Sequence, residues 1–280
     1  MAQLIKKVIQ NTQLNFTNDF PGLRGVNIMA KDFAIEPFLV FTEFTMDQPV
    51  FGPHPHAGIS VMTYLLPDSK GSFINRDSNG DFSTIEPGGL HITQAGSGIH
   101  HDEFPSKTGV ETHGFQIWIN HKEDQRMINP KAMHANASEI IQVQSEDAII
   151  SLIHGKFNHK VSSYQMVTDI TLLHVFLQPE KSLQLPSQEM AFLYGLKGTG
   201  ITDQQIINQQ RLINYDTEGN TIEVTAGKEG LEFMFGTGIP LKENIIYGGP
   251  FVMTTAAQMQ ETRKRYAEGN MGHLDTYSTK

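Results

Sequence analysis

The heptapeptide Gly114-Phe115-Gln116-Ile117-Trp118-Ile119-Asn120 alternates with the period of a β-strand. Successive strand side chains point to opposite faces, so Phe115, Ile117 and Ile119 share one face and Gln116, Trp118 and Asn120 the other. One of these faces belongs against a core. Similar short apolar or alternating runs recur at residues 38–44, 59–66, 148–153, 172–177, 190–196 and 231–235. Between them lie turn signals such as Asn79-Gly80, Pro87-Gly88-Gly89, Gly96-Ser97-Gly98 and Glu218-Gly219-Asn220. Short strands at this spacing predict an all-β sandwich or barrel.

At 280 residues the chain exceeds the roughly 100–200 residues of one domain, so two compact halves are expected. The polar stretch 121–138 contains Pro130 and little apolar periodicity, and it reads as the connection. We place the boundary near residue 135, giving halves 1–134 and 135–280. One helix is predicted, over 256–268, capped by Thr254 or Thr255 and stopped at Gly269. The tail after it reads as loosely ordered.

Hydrophobic residues make up 39% and charged residues 18% of the chain, a globular balance. With no cysteine, disulfides, thiolate metal sites and cysteine nucleophiles are excluded, and any metal falls to His, Asp and Glu. The N-terminal 16 residues lack the apolar core of a signal peptide, and no run approaches the ~18 residues of a membrane span, so a soluble cytoplasmic protein is expected. A net charge of -9 disfavours direct nucleic-acid binding. The basic run Arg263-Lys264-Arg265 lies beside Glu261 and Glu268 and reads as a solvated helix face.

Two clusters carry ligand-type side chains. In Phe51-Gly52-Pro53-His54-Pro55-His56-Ala57-Gly58 the i, i+2 spacing puts both imidazoles on one face of an extended segment. In Gly98-Ile99-His100-His101-Asp102-Glu103 the same spacing pairs His101 with Glu103 and turns His100 and Asp102 the other way. By themselves the residues leave two readings: a metal site, or a proline-shaped turn beside a solvated strand end.

The chain resembles the pirins, a bicupin family of the cupin superfamily. The resemblance is carried by Pro53 to Gly58 above, Met62-Thr63-Tyr64-Leu65, Asn75-Arg76-Asp77-Ser78 and Glu86-Pro87-Gly88-Gly89. It continues through the stretch from Thr93 to Pro105 and the heptapeptide at Gly114, and near the other end through Gly248-Gly249-Pro250-Phe251-Val252-Met253-Thr254. It implies two cupin-type β-barrels with a short C-terminal helix. It also implies one metal ion, usually iron, on His54, His56, His101 and Glu103. Imidazole and carboxylate suit Fe(II) and equally accept Ni, Cu, Mn or Zn, and four protein ligands leave two octahedral positions open.

The chain departs from the pirin pattern around these ligands. Ala57 and Ser60 stand where the family usually has arginine and glutamate, Asn75 where it commonly has histidine, and His91-Ile92-Thr93 where it commonly has Gln-Trp-Met. His91 is read as structural. The histidines of the second half, His154, His159 and His174, show no paired spacing, and that half is expected to hold no metal. Phe192, Tyr194, Phe233 and Phe235 read as core.

Two functions follow from the resemblance. One is a dioxygenase of quercetin 2,3-dioxygenase type, acting with O2 on a small aromatic enol such as a flavonol, with Glu103 as catalytic base. The other is an iron-dependent regulatory protein that binds a protein partner, either a transcription cofactor or a modulator of a metabolic enzyme. A monomer is expected, since two halves can cover each other's faces.

Overall fold

Alternation along the chain is realised as twenty-four strands and one α-helix among the residues that the computed structural model describes, 4–277. The first twelve strands are β1 (Val8–Gln13), β2 (Thr17–Phe20), β3 (Leu23–Met29), β4 (Phe38–Met46), β5 (His54–His56), β6 (Ile59–Leu65), β7 (Phe73–Asp77), β8 (Phe82–Ile85), β9 (Leu90–Gln94), β10 (Ile99–Pro105), β11 (Thr112–Asn120) and β12 (Lys131–Ala135). Then come β13 (Ile141–Gln144), β14 (Ala148–His154), β15 (Lys156–Phe157), β16 (Lys160–Val161), β17 (Ile170–Leu177), β18 (Ser182–Pro186), β19 (Met190–Thr202), β20 (Gln205–Ile207), β21 (Arg211–Tyr215) and β22 (Thr221–Gly238). The chain closes with β23 (Ile246–Tyr247), β24 (Val252–Met253) and α1 (Ala256–Ala267).

One barrel sets the sheet β12-β9-β6-β11-β4-β3-β2 against the sheet β5-β10-β7-β8. The other is built on β1-β21-β19-β22-β17-β14-β13, with β18 and β20 on the far ends of β22 and β19, where register shifts in β19 at Gly195 and Gly198 bend the ladder. These are the two cupin-type barrels and the short helix that the resemblance implied. Thr255 caps α1 in a reciprocal pair with Gln258, and Gly269 at φ +76° follows its end.

The two faces of β11 go to different places. Phe115, Ile117 and Ile119 are fully buried in a core shared by the halves, together with Phe41, Phe192 and Tyr194. The rings of Phe38 and Phe41 meet Phe192 edge-on at 5.2 and 5.0 Å. Gln116 and Trp118, on the opposite face, line a cavity inside the first barrel. In the second barrel Leu172, Phe192 and Tyr194 face the shared core, while Leu173, Val175, Leu193, Phe233 and Phe235 fill the interior with apolar side chains.

Both chain ends cross over. β1 pairs with β21, and the segment from β23 onward packs on the first barrel, where Phe251 bridges Ala57 and Val252 N–H donates to the Ala57 carbonyl at 3.1 Å. The polar stretch after β11 is no loose connection: it contains β12 and a buried Arg126 that donates to the carbonyls of Gly58 and Val252 and to Asn120 Oδ1 at 2.8–3.1 Å. Nor is the tail loose through Tyr277. The outward face of β7 and β10 gives it partners: Arg76 donates to the Asp275 carbonyl at 2.5 Å, His100 N–H to that of Met271 at 3.2 Å, and Tyr277 stacks on Phe104 at 4.9 Å.

Polar groups also join the halves. Buried Glu43 accepts from Tyr194 Oη at 2.6 Å and His113 Nε2 at 2.9 Å, and His113 Nδ1 lies 3.3 Å from Asp68. Asp68 pairs with Lys197, Lys197 lies 3.7 Å from Glu232, and Glu232 accepts from His174, whose other nitrogen meets Tyr64 Oη at 3.0 Å. Burial opposes charge on His113, but the carboxylates of Glu43 and Asp68 overcome it and raise its pKa above 6.5.

The sign of the pH effect follows from linkage. A raised folded pKa contributes stability that is complete below about pH 6.5 and is lost as pH rises through the folded pKa. The melting temperature of the native chain should exceed that of His113→Gln at pH 6, and the gap should narrow by roughly 2–4 °C by pH 9. A gap that stays constant across this range would show that His113 carries no proton-linked stability.

Candidate metal centre

Pro53 and Pro55 favour extended backbone around His54, and β5 pairs antiparallel with β10 so that His101 lies opposite His54 and Ile99 opposite His56. That register gathers three imidazoles from two strands. Their ring centroids are 5.0 Å (His54–His56), 4.6 Å (His54–His101) and 4.8 Å (His56–His101) apart. One ligand nitrogen from each lies within 4.8 Å of the others, the only such His or carboxylate group found among the described residues.

Backbone carbonyls fix which nitrogens face inward. His54 Nδ1 donates to the Gly52 carbonyl at 2.9 Å and His56 Nδ1 to the Pro250 carbonyl at 3.1 Å, leaving both Nε2 atoms as lone-pair donors. His54 Nε2 and His101 Nε2 lie 3.1 Å apart. Two neighbouring ligands with bonds of about 2.0–2.1 Å would be about 3 Å apart, so the spacing fits a shared cation. Burial lowers all three pKa values, and repulsion from other imidazoles of the triangle adds to it for His56, lowered to about 3, and for His101, lowered well below 6.5. The imidazoles are therefore neutral near pH 7, the state that metal binding requires.

Glu103 lies two residues beyond His101 on the same face, but it is not part of the triangle. Its carboxyl accepts from Thr63 Oγ1 at 2.5 Å and from Gln116. Burial raises its pKa to about 7 against the pull of those two donors, and nearby Asp102 adds to the rise. His54, His56, His101 and Glu103 all open onto one cavity of about 530 Å³, walled by Leu23, Val40, Phe44, Phe51 and Phe73, with Gly249 and Pro250 from the C-terminal segment. Trp118 stands edge-on to His56 at 4.9 Å.

His100 and Asp102 point outward, as alternation predicted: Asp102 pairs with Arg76 at 2.7 Å and His100 lies against Tyr266. Ala57 packs with Phe251, Met253, Met259 and Met271, and Ser60 bonds His121 at 2.9 Å. Arg126, from outside the motif, donates to the carbonyl of Gly58 at 2.9 Å. Asn75 pairs across the ladder with Glu103. His91 is buried opposite Thr63, 4.0 Å from Asp81, with neither ring nitrogen bonded to protein, and it does not line the cavity. In the second half His174 belongs to the network between the halves, and His154 stacks on Tyr164.

Sequence reasoning missed Thr63, Gln116, Trp118 and Pro250 as parts of this site. The polar face of the β11 heptapeptide was a signal for Gln116 and Trp118. A carbonyl such as that of Pro250 leaves no residue-type signal.

Comparison with known proteins places the chain among pirins. Residues 23–119 match the Pirin family and residues 172–272 its Pirin C-terminal cupin domain. Pirin of Rattus norvegicus is 31% identical over 81% of this chain and 79% of its own length. A Vibrio cholerae protein provisionally named quercetin 2,3-dioxygenase is 27% identical over 86% of this chain and 87% of its own. A quercetin 2,3-dioxygenase from Acinetobacter baumannii superposes with a TM-score of 0.87 at 23% identity, over 97% of this chain and 100% of that one. The bacterial pirin YhhW from Escherichia coli, solved with nickel(II), gives a TM-score of 0.65 at 19% identity, over 85% and 100%.

Trp118, the single tryptophan, reports on the triangle. Titration with Ni(II) or Fe(II) should change its fluorescence with about one ion per chain, and His56→Ala should weaken binding by more than about 100-fold. Because burial lowers all three pKa values, those of His56 and His101 by far the more, metal should be retained on dialysis at pH 6. Release with a midpoint at or above pH 6.5 would show imidazoles that are not buried as described.

Proposed function

Because the chain belongs to the pirin family, we propose that it is a metal-dependent dioxygenase of the quercetin 2,3-dioxygenase type, acting with O2 on a flavonol or similar enol. The observation that carries this reading is the floor of the cavity: three neutral imidazoles with inward lone pairs, under apolar walls, beside a carboxyl with a pKa of about 7. Fe(II) is the proposed ion, on His54, His56 and His101 with Glu103 as the oxygen donor, a set that equally accepts other mid-row divalent metals. When bound, the ion supplies Lewis acidity and open coordination positions.

The chain's own residues do the rest. The apolar walls exclude water from the reacting end of the substrate. Glu103, buried beside the imidazoles, takes the proton of the enol hydroxyl, and Thr63 and Gln116 hold its carboxyl in place for that transfer. On this reading residues 1–134 carry the chemistry, and residues 135–280 contribute the Pro250 carbonyl and the shared core that keep His56 and Trp118 in place.

Fe(II)-loaded protein should consume O2 and release carbon monoxide on mixing with quercetin in air. Glu103→Gln should keep most of its metal while turnover falls by about 10²–10⁴-fold. Full turnover in the metal-loaded variant would sink the base assignment; metal-loaded native protein that leaves quercetin and O2 untouched would sink the flavonol reading.

A further inference from the structure

The cavity mouth carries two aromatic rings that the fold does not use. Phe20, at the end of edge strand β2, is 51% exposed, and Phe51, in the segment leading into β5, is 43% exposed. Large side chains of this kind are normally buried, and an exposed pair at the rim of a pocket marks a contact for an apolar group. The two rings meet edge-to-face at 5.7 Å, and Phe51 reaches inward to 6.4 Å from the His54 ring. The pair thus connects the rim to the imidazole triangle.

Phe20 also has open space behind it. A second cavity of about 530 Å³, lined by Asn18, Pro21 and Arg24, shares Phe20, Leu23 and Met46 with the first, so Phe20 lies where the two adjoin. No other strand flanks β2 on its outer side, since it ends its sheet. Its outer side is therefore open, and the neighbouring ring against Phe20 is that of Phe51.

We propose that Phe20 and Phe51 form an aromatic clamp that grips the distal ring of a planar, fused-ring aromatic ligand whose α-hydroxyketone end reaches the imidazole floor. The clamp rests on the metal-site reading above and adds to it the residues that select for an aryl body. The cavity lies within the roughly 300–1,000 Å³ range of pockets for ligands of this size. Aromatic rings offer edge and face contacts to such a body with little conformational cost, whereas the chelating end is recognised at the floor whether or not a body is attached. Selectivity for the body and affinity for the head are therefore carried by different residues.

Two probes separate them: 3-hydroxyflavone, which has head and aryl body, and maltol, which has the same α-hydroxyketone head without the aryl group. Binding to Ni(II)-loaded protein is read under nitrogen by Trp118 quenching, in the native chain and in Phe20→Ala and Phe51→Ala. We expect each variant to bind 3-hydroxyflavone roughly tenfold more weakly and maltol within about twofold of the native chain. Unchanged 3-hydroxyflavone binding in both variants would overturn the clamp and leave the metal site standing. Equal weakening of both probes would also overturn it, because the rings would then be shaping the floor. A native chain that holds nickel and binds neither probe would overturn the enol-substrate reading and the clamp with it.

Discussion

His101 faces His54 because β5 and β10 pair in one register, and side-chain alternation makes that register decisive. A slip of one residue would bring His100 into line with His54, move His101 to the outer face beside Arg76, and leave the barrel floor with two ligands. The ladder is short, three residue pairs, so its neighbours hold it. Gly58, at φ +80°, passes so close to the Val252 carbonyl that a Cβ there would lie 2.0 Å from it. Arg126 ties the same two carbonyls from below, and the Ala57–Phe251 bridge closes the other side.

The two barrels divide the work by how their interiors are filled. The second is filled with leucine, valine, isoleucine and phenylalanine, which gives a closely packed wall. The first keeps Thr63, Asn75, Asp77, His91, Thr93 and Glu103 inside, and several of these leave polar atoms without protein partners. Buried polar groups left in this state destabilise a domain. The shared core, in which Phe41, Phe115, Phe192 and Tyr194 interlock, offsets that cost from outside the first barrel.

Much of this was readable from residue order. The β11 alternation predicted both of its faces, and the i, i+2 histidine spacing predicted the inward pair and the outward His100 and Asp102. Thr255 and Gly269 marked the helix ends. What sequence did not reveal is long-range or carried by backbone. The polarity of residues 121–138 predicts a connector, yet Arg126 is buried because three acceptors meet its guanidinium: the carbonyls of Gly58 and Val252, the latter in β24, and Asn120 Oδ1. The tail reads as unanchored because its partners, Arg76 and Phe104 on strands and Ser78 in the turn after β7, lie some 170 to 200 residues earlier. Spacing pairs Glu103 only with His101, the family resemblance joins it to His54 and His56, and only the fold reveals that Thr63 and Gln116 compete for its oxygens.

The Pro250 carbonyl that sets the His56 tautomer lies 194 residues after the ring it orients. The last strand of the first barrel, β12, ends at Ala135, so during synthesis at about 5–20 residues per second that barrel is made roughly 6–23 s before the acceptor exists. For that interval the nascent chain displays all three imidazoles but lacks the contact that commits His56 to one nitrogen. The order of the triangle is thereby tied to a segment made long after its three imidazoles, so the first barrel by itself does not fix the inward nitrogen of His56.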